Sequence, residues 1–228
     1  MTGRACASTC AGLPGRLQLQ LQLRLCLVTD TANMQAGPLN GVLAAAVQGG
    51  VTCIQLRDKH LSDRPFLAQA IALKTWLTPL GIALIINDRV DIALASGADG
   101  VHLGQSDMPV EVARRLLPPH VFIGWSVETL DDVARSAQLP VDYLGVSPVF
   151  ATPTKTDTQS PWGLSGLRQV RAMTNRPLVA IGGITTANAP DVLAAGADGL
   201  AAVSALCAAH DPCLAARAFR NILNENSP

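Results

Sequence analysis

The stretch ALIINDRVD, Ala83 to Asp91, opens as a buried strand, with Ala83, Leu84, Ile85 and Ile86 in a row. It then breaks into Asn87, Asp88 and Arg89 with no turn residue between. The stretch GVHLGQSD, Gly100 to Asp107, repeats the pattern: a short apolar strand runs into polar residues and stops on an acid. Two strands that each lead to a carboxylate call for a common explanation, and the surrounding rhythm supplies it. From Leu23 onward short apolar strands alternate with amphipathic helical stretches. Strands are predicted near 23–30, 53–58, 83–88, 100–104, 122–126, 143–149, 178–183 and 199–205. The intervening segments include PVEVARRLLP and TLDDVARSAQL. The last, DPCLAARAFRNILNEN, is opened by Asp211 as N-cap with Pro212 in the first turn. Eight strand–helix units in about 200 residues point to an α/β fold, a (β/α)8 TIM barrel, as a single domain over residues 23–228. A doubly wound open sheet is the alternative, but its units are rarely so regular.

A short internal repeat fits the barrel. ASGADGVHLG and AAGADGLAAVS each end a helix on glycine, Gly97 or Gly196, and enter a strand at Gly100 or Gly199. Glycine there suits a left-handed C-cap that returns the chain to the barrel, at its lower face.

Composition narrows the function. Of 228 residues 49% are hydrophobic and only 4% aromatic, so the core is large and aliphatic. Net charge is zero, with no basic stripe or acidic tail, which argues against nucleic-acid and membrane partners. Six cysteines form no CxxC pair; Cys53 and Cys207 sit in apolar runs as expected for buried thiols, and Cys6 and Cys10 lack partner ligands for zinc. A reducing, cytoplasmic compartment is expected. The first residues are small and polar, and then LQLQLQLRL alternates strictly; Gln and Arg interrupt any signal-peptide core. Residues 1–22 are expected to be a loosely ordered extension whose alternating part prolongs the first strand.

Active sites of this fold lie at the C-terminal strand ends, and nearly every predicted end is polar. In QLRDK, the period of two puts Gln55, Arg57 and Lys59 on one face and Leu56 and Asp58 on the other. Two cations and an amide suit a pyrophosphate; a solvated strand end is the plainer reading. Asp88 and Asp107, on adjacent strands, suit Mg²⁺, which takes one or two carboxylates beside substrate phosphates. Asp107 could instead cap the helix opening at Pro109. Strand 5 ends at Ser126. The loop TPTKTDT offers Thr152, Thr154 and Lys155 to an anion, and Gly183 with Val203 and Ser204 matches the phosphate site of such barrels. His102, inside strand 4, is expected to be structural, and Glu128 either points to the mouth or caps the next helix.

Taken in order, QLRDK, IINDRVDIALASGADGVHLGQSD, DYLGVSPVFATPTK, AIGGI and GADGLAAVSAL resemble the thiamine-phosphate synthase family, from about Leu23 to the C-terminus. The resemblance implies a transferase that joins a hydroxymethylpyrimidine diphosphate to a thiazole phosphate, giving thiamine phosphate and pyrophosphate. It implies that Gln55, Leu56, Arg57, Asp58, Lys59, Asn87, Ser126 and Lys155 hold the pyrimidine diphosphate. Asp88 and Asp107 would hold Mg²⁺, and Thr152, Pro153, Thr154, Gly183, Val203 and Ser204 the thiazole phosphate. Arg57, Lys59 and Lys155 would carry the catalytic role of stabilising the departing charge in a dissociative reaction. Glu128 stands where the family often has His. Partners are the small-molecule substrates, and a homodimer is possible. A thiazole-phosphate isomerase and a non-catalytic phosphate-binding barrel are the alternatives.

Overall fold

The computed structural model describes residues 15–30, 37–152 and 160–226. Eight strands close in sequence order: β1 Leu25–Val28, β2 Cys53–Leu56, β3 Ala83–Asn87, β4 Gly100–Leu103, β5 Phe122–Val127, β6 Tyr143–Val146, β7 Leu178–Ala180 and β8 Gly199–Ala202. All pairs are parallel, and β8 returns to β1 with Leu25 opposite Leu200. Seven of the strands are shorter than predicted, because residues such as Asp88 and Gly183, assigned to strand ends, belong to the loops above them; β5 runs one residue longer, to Val127. The open-sheet alternative is thereby excluded.

Each strand is buried on both faces, and the pleat sorts its residues. Leu25 and Leu27, Ile54 and Leu56, and Leu84 and Ile86 point outward into the main core against the helices. Cys26 and Val28, Cys53, and Ala83 and Ile85 point into the barrel, in a smaller cluster with Phe122, Tyr143 and Val179. The outer layer comprises α2 Leu39–Gly49, α3 Asp63–Leu77, α4 Val90–Ser96, α5 Val110–Leu116, α6 Leu130–Ser136, α7 Gly163–Met173, α8 Ala189–Ala194, the short α9 Ser204–Cys207, and α10 Pro212–Glu225. Asp211 caps α10 by accepting from the Leu214 amide at 2.9 Å, with Pro212 in the first turn. Gly97 and Gly196 take φ of 67° and 108°, the left-handed conformation expected of them.

The lower face carries a pattern. Just before β4, β6 and β8 stand Asp99, Asp142 and Asp198, whose carboxylates accept from the amides of Leu84, Ile123 and Leu178, each on the preceding strand, at 2.8, 2.7 and 2.8 Å. Thr52, before β2, accepts likewise from Leu25 at 2.9 Å. The backbone N–H of each of these residues donates back to the carbonyl of the same partner. The three acids are ion-paired with Lys74, Arg114 and Arg171.

The strand expected at the start of the chain is a helix, α1 Gly15–Gln22. Alternating Leu and Gln read as period two, yet both are good helix formers and no β-branched residue is present to favour a strand. As a helix the segment brings Leu19 against the interior cluster and lets Gln20 donate to Asp198 at 3.2 Å. Residues 1–14, with Cys6 and Cys10, lie outside the described residues. Cys26, Cys53 and Cys207 are buried free thiols.

Candidate active site

The upper ends of the strands surround a cavity of about 570 Å³ that reaches from polar loops down to apolar residues inside the barrel, including Cys26, Val28 and Ile85. Inside the barrel, glycines on β4 and β5 make room for aromatic rings of the neighbouring strands. A Cβ on Gly100 would come within 2.2 Å of the Phe122 ring, and one on Gly124 within 2.1 Å of Tyr143. In each case the glycine is the register partner of the aromatic residue on the next strand. The Tyr143 hydroxyl lies 2.8 Å from Nδ1 of His102, and Nε2 of His102 lies 2.9 Å from the Ser126 hydroxyl. Burial pushes the Tyr143 hydroxyl well above its ordinary pKa, keeping it neutral.

The end of β2 follows the pleat. Gln55, Arg57 and Lys59 line the cavity. Leu56 faces the outer core and is fully buried. Asp58 is outside the cavity lining; its carboxylate accepts from the amides of His60 and Leu61 at 2.8 and 2.9 Å and so shapes the loop. The structure thus does not bring Leu56 or Asp58 to the site. Arg57 is fixed through its main chain: its amide donates to the Thr29 hydroxyl, which donates in turn to the Arg57 carbonyl, both at 2.8 Å.

Asn87 ends β3, and Asp88 follows it in the loop above. Asp88 has φ of 62°, a left-handed conformation at some strain in a non-glycine residue, although Asp tolerates it better than most. Its carboxylate is ion-paired with Lys59. Asp107 belongs to the loop after β4. It does not cap α5, whose N-cap position is Pro109 with no side-chain bond. Its carboxylate instead accepts from the Gly104 amide at 2.6 Å. Burial raises the Asp107 pKa, and the neighbouring Asp88 adds to the rise, while the Gly104 amide and Lys59 oppose it. Two carboxylates that disfavour each other's charge, at a rim with cations, form a donor set that suits a hard divalent ion. Among the described residues no three His, Cys, Asp or Glu side chains gather into a metal site. Such an ion would therefore take its remaining ligands from water and phosphate oxygens.

Ser126, on β5, and Glu128, just after it, line the cavity. The capping role open to Glu128 is filled by Thr129 and Asp132, whose side chains and main chains cap α6 reciprocally. Gln105, unremarked in the sequence, donates to the Ser126 carbonyl at 2.6 Å and accepts from Arg135 at 3.0 Å, tying the β4 loop to β5.

The opposite wall is formed by Thr152, Gly183, Val203 and Ser204. Gly183 has φ of 65°, and a Cβ there would come within 2.8 Å of Phe150 and 2.9 Å of the Ala151 carbonyl. Asn188 bonds both sides of this turn, donating to the Gly183 carbonyl at 2.9 Å and accepting from the Thr185 amide at 2.8 Å. Pro153, Thr154 and Lys155 lie outside the described residues. His102, expected to be structural, also borders the cavity and braces Ser126. Its place on the inward-facing alternation of β4, between Gly100 and Gly104, was the available signal.

One deep cavity, with cations and carboxylates meeting at the C-terminal rim of a (β/α)8 barrel, defines a barrel enzyme. A thiamine monophosphate synthase family model matches residues 25–206. The chain belongs to the thiamine monophosphate synthase family, and with it to the transferases of thiamine biosynthesis. It is 71% identical over 202 residues to a thiamine-phosphate synthase of Albidiferax ferrireducens, covering 89% of this chain and 92% of that one. A thiamine-phosphate synthase of Vibrio parahaemolyticus is 50% identical, covering 88% of this chain and 98% of that one. Among solved structures, thiamine phosphate pyrophosphorylase from Pyrococcus furiosus superimposes with a TM-score of 0.84 at 37% identity, covering 91% of this chain and 98% of that one. Among the described residues no helix is long and apolar enough to cross a membrane.

Proposed function

We propose that this enzyme joins 4-amino-2-methyl-5-hydroxymethylpyrimidine diphosphate to a thiazole phosphate, forming thiamine phosphate and releasing pyrophosphate. The observation that carries this reading is the division of one cavity. Arg57, Lys59, Asp88 and Asp107 stand on one wall, and Gly183, Val203 and Ser204 on the other. Two phosphorylated substrates thus find separate anchors with their reacting ends between them.

In this reading Gln55, Asn87 and Ser126 orient the pyrimidine diphosphate. Arg57, Lys59 and Lys155 stabilise the charge that grows on the departing pyrophosphate. Asp88 and Asp107 hold Mg²⁺, which when bound neutralises diphosphate oxygens. The bond between the pyrimidine methylene and the diphosphate oxygen breaks first. The electron-rich aminopyrimidine supports the resulting cation, and the lone pair of the thiazole nitrogen then forms the new C–N bond. That nitrogen has no proton to lose, so no general base is required. Thr152, Pro153, Thr154, Gly183, Val203 and Ser204 hold the thiazole phosphate, with Asn188 bracing the Gly183 turn. An isomerase of the thiazole phosphate or a non-catalytic barrel would have no need for paired acids beside paired cations. The same reading takes the enzyme to be cytoplasmic, acting on small molecules, with a homodimer as its candidate assembly.

The test supplies both substrates with Mg²⁺ and measures thiamine phosphate and pyrophosphate. Equal amounts of the two are expected. Pyrophosphate without thiamine phosphate, or neither product, would reject the reading.

A further inference from the structure

Lys59 stands at the rim with two possible anionic partners in reach, and only one of them belongs to the protein. Its ammonium is paired with Asp88, and it lies close enough to act on the charge of Asp107 as well. Arg57, two residues earlier on the same face of the chain, lines the same cavity but makes no ion pair among the described residues. The two cations of this wall are therefore not equivalent: one is ready for an anion, and the other is engaged by a residue assigned to the metal.

We infer that Lys59 exchanges partners during the catalytic cycle, serving as the counter-ion of Asp88 before the divalent ion binds and passing to the diphosphate when it does. This rests on the reading of Asp88 and Asp107 as metal ligands and adds an order of events to it. Two neighbouring carboxylates such as Asp88 and Asp107 are costly without a cation. The Lys59 side chain is 53% exposed, so its bond to Asp88 is weak enough to be given up. Its four-carbon stem lets a compact point charge swing between oxygens where a bidentate guanidinium would be held. Once a divalent ion satisfies Asp88, the ammonium is repelled from the metal and attracted to the diphosphate. Metal entry thereby arms the second cation of the site.

The exchange makes two reciprocal predictions, both read without turnover. In the first, Mn²⁺ stands in for Mg²⁺ and its free concentration is followed by electron paramagnetic resonance in the absence of substrates. Lys59→Met should bind Mn²⁺ roughly three- to fivefold more tightly than wild type, the scale of an exposed ion pair. Arg57→Met removes the same charge from the same wall and should change the affinity by less than about 1.5-fold, because no direct competitor is lost. Asp88→Asn should lose most of the Mn²⁺ binding. In the second, pyrophosphate is titrated calorimetrically with all metal chelated. Asp88→Asn frees Lys59 and should tighten pyrophosphate binding, and that gain should vanish in Asp88→Asn with Lys59→Met, a coupling that the double-mutant cycle isolates. Equal effects of Lys59→Met and Arg57→Met on Mn²⁺ would reduce the exchange to through-space charge and overturn it. A gain in pyrophosphate affinity that survives in the double variant would do the same. Unchanged Mn²⁺ binding in Asp88→Asn would instead reject the metal assignment on which the exchange rests. Unaltered melting temperatures establish that each variant is folded.

Discussion

The Tyr143 hydroxyl lies 2.8 Å from one nitrogen of His102, and the other nitrogen of that ring lies 2.9 Å from the Ser126 hydroxyl. A buried residue of β6 thus sets the orientation of a cavity hydroxyl on β5 through a ring on β4. Tyr143→Phe keeps the ring that fills the space over Gly124 and removes only the bond to His102. We expect kcat/KM to fall by about tenfold and stability by about 1 kcal/mol, the scale of one hydrogen bond in each case. Kinetics unchanged from wild type would show that Ser126 needs no brace. The same substitution has a signature in alkali. The folded state holds the Tyr143 proton to higher pH than the unfolded chain, whose tyrosine titrates near its ordinary value of 10.0. This contribution to stability is present below about pH 10 and is lost as pH rises further. Melting temperature should therefore decline more steeply with pH in wild type than in Tyr143→Phe.

Gly124→Ala is expected to destabilise the barrel by about 3 kcal/mol, since the new methyl would stand 2.1 Å from the Tyr143 ring and overpack a rigid wall. Thermal melts measure the loss. Combining the change with Tyr143→Leu should recover part of it, whereas Tyr143→Leu alone should destabilise.

Asp88→Asn and Asp107→Asn each remove a negative oxygen donor without opening a core cavity. Both should keep the fold and raise the Mg²⁺ concentration needed for half-maximal rate by at least about tenfold. The check is rate against Mg²⁺ for each variant; an unchanged curve removes that residue from the metal site.

The two anionic anchors should separate in steady-state kinetics. Ser204→Leu crowds the wall with Gly183 and should raise KM for the thiazole phosphate with little effect on KM for the diphosphate, the mark of uniform binding. Lys155→Ala should lower kcat by about two to three orders of magnitude, as loss of one preorganised donor does. An altered thiazole KM with intact kcat would transfer Lys155 to the other phosphate.

Deleting residues 1–14 should leave both activity and melting temperature near wild type. Deletion through Gln22 should lower the melting temperature by several degrees, because it strips Leu19 from the interior cluster and Gln20 from Asp198. Equal melts for the two truncations would show that α1 adds nothing to the barrel.

The barrel was legible because its strands are short apolar runs set off by glycine and polar residues, a signal that survives uncertainty at every boundary. The paired acids were legible for a related reason: a core strand leading to a carboxylate is costly unless something uses the charge. What failed depended on contacts between distant residues. Nothing in LQLQLQL distinguishes a strand from a helix until Leu19 has a cluster to meet. His102 looks like a solitary ring until Tyr143 and Ser126 come to its two nitrogens. Leu56 and Asp58 entered the expected site by adjacency to true rim residues, although the alternation of β2 already pointed them elsewhere.

The reciprocal bonds at the lower face tie β1 to β2, β3 to β4, β5 to β6 and β7 to β8, through Thr52, Asp99, Asp142 and Asp198. None of them crosses from one such pair to the next. The barrel is in this respect a ring of four parallel two-strand modules, and a cut between modules spares every reciprocal seal, at the cost of single main-chain bonds such as that from the Phe122 amide to the Asp99 carbonyl. Two fragments divided between α4's successor strand β4 and β5 would each carry their own seals. Co-expressed, they are the natural division for reassembling the barrel from halves, whereas a break between β3 and β4 would part Leu84 from Asp99 and leave an open polar wound in each piece.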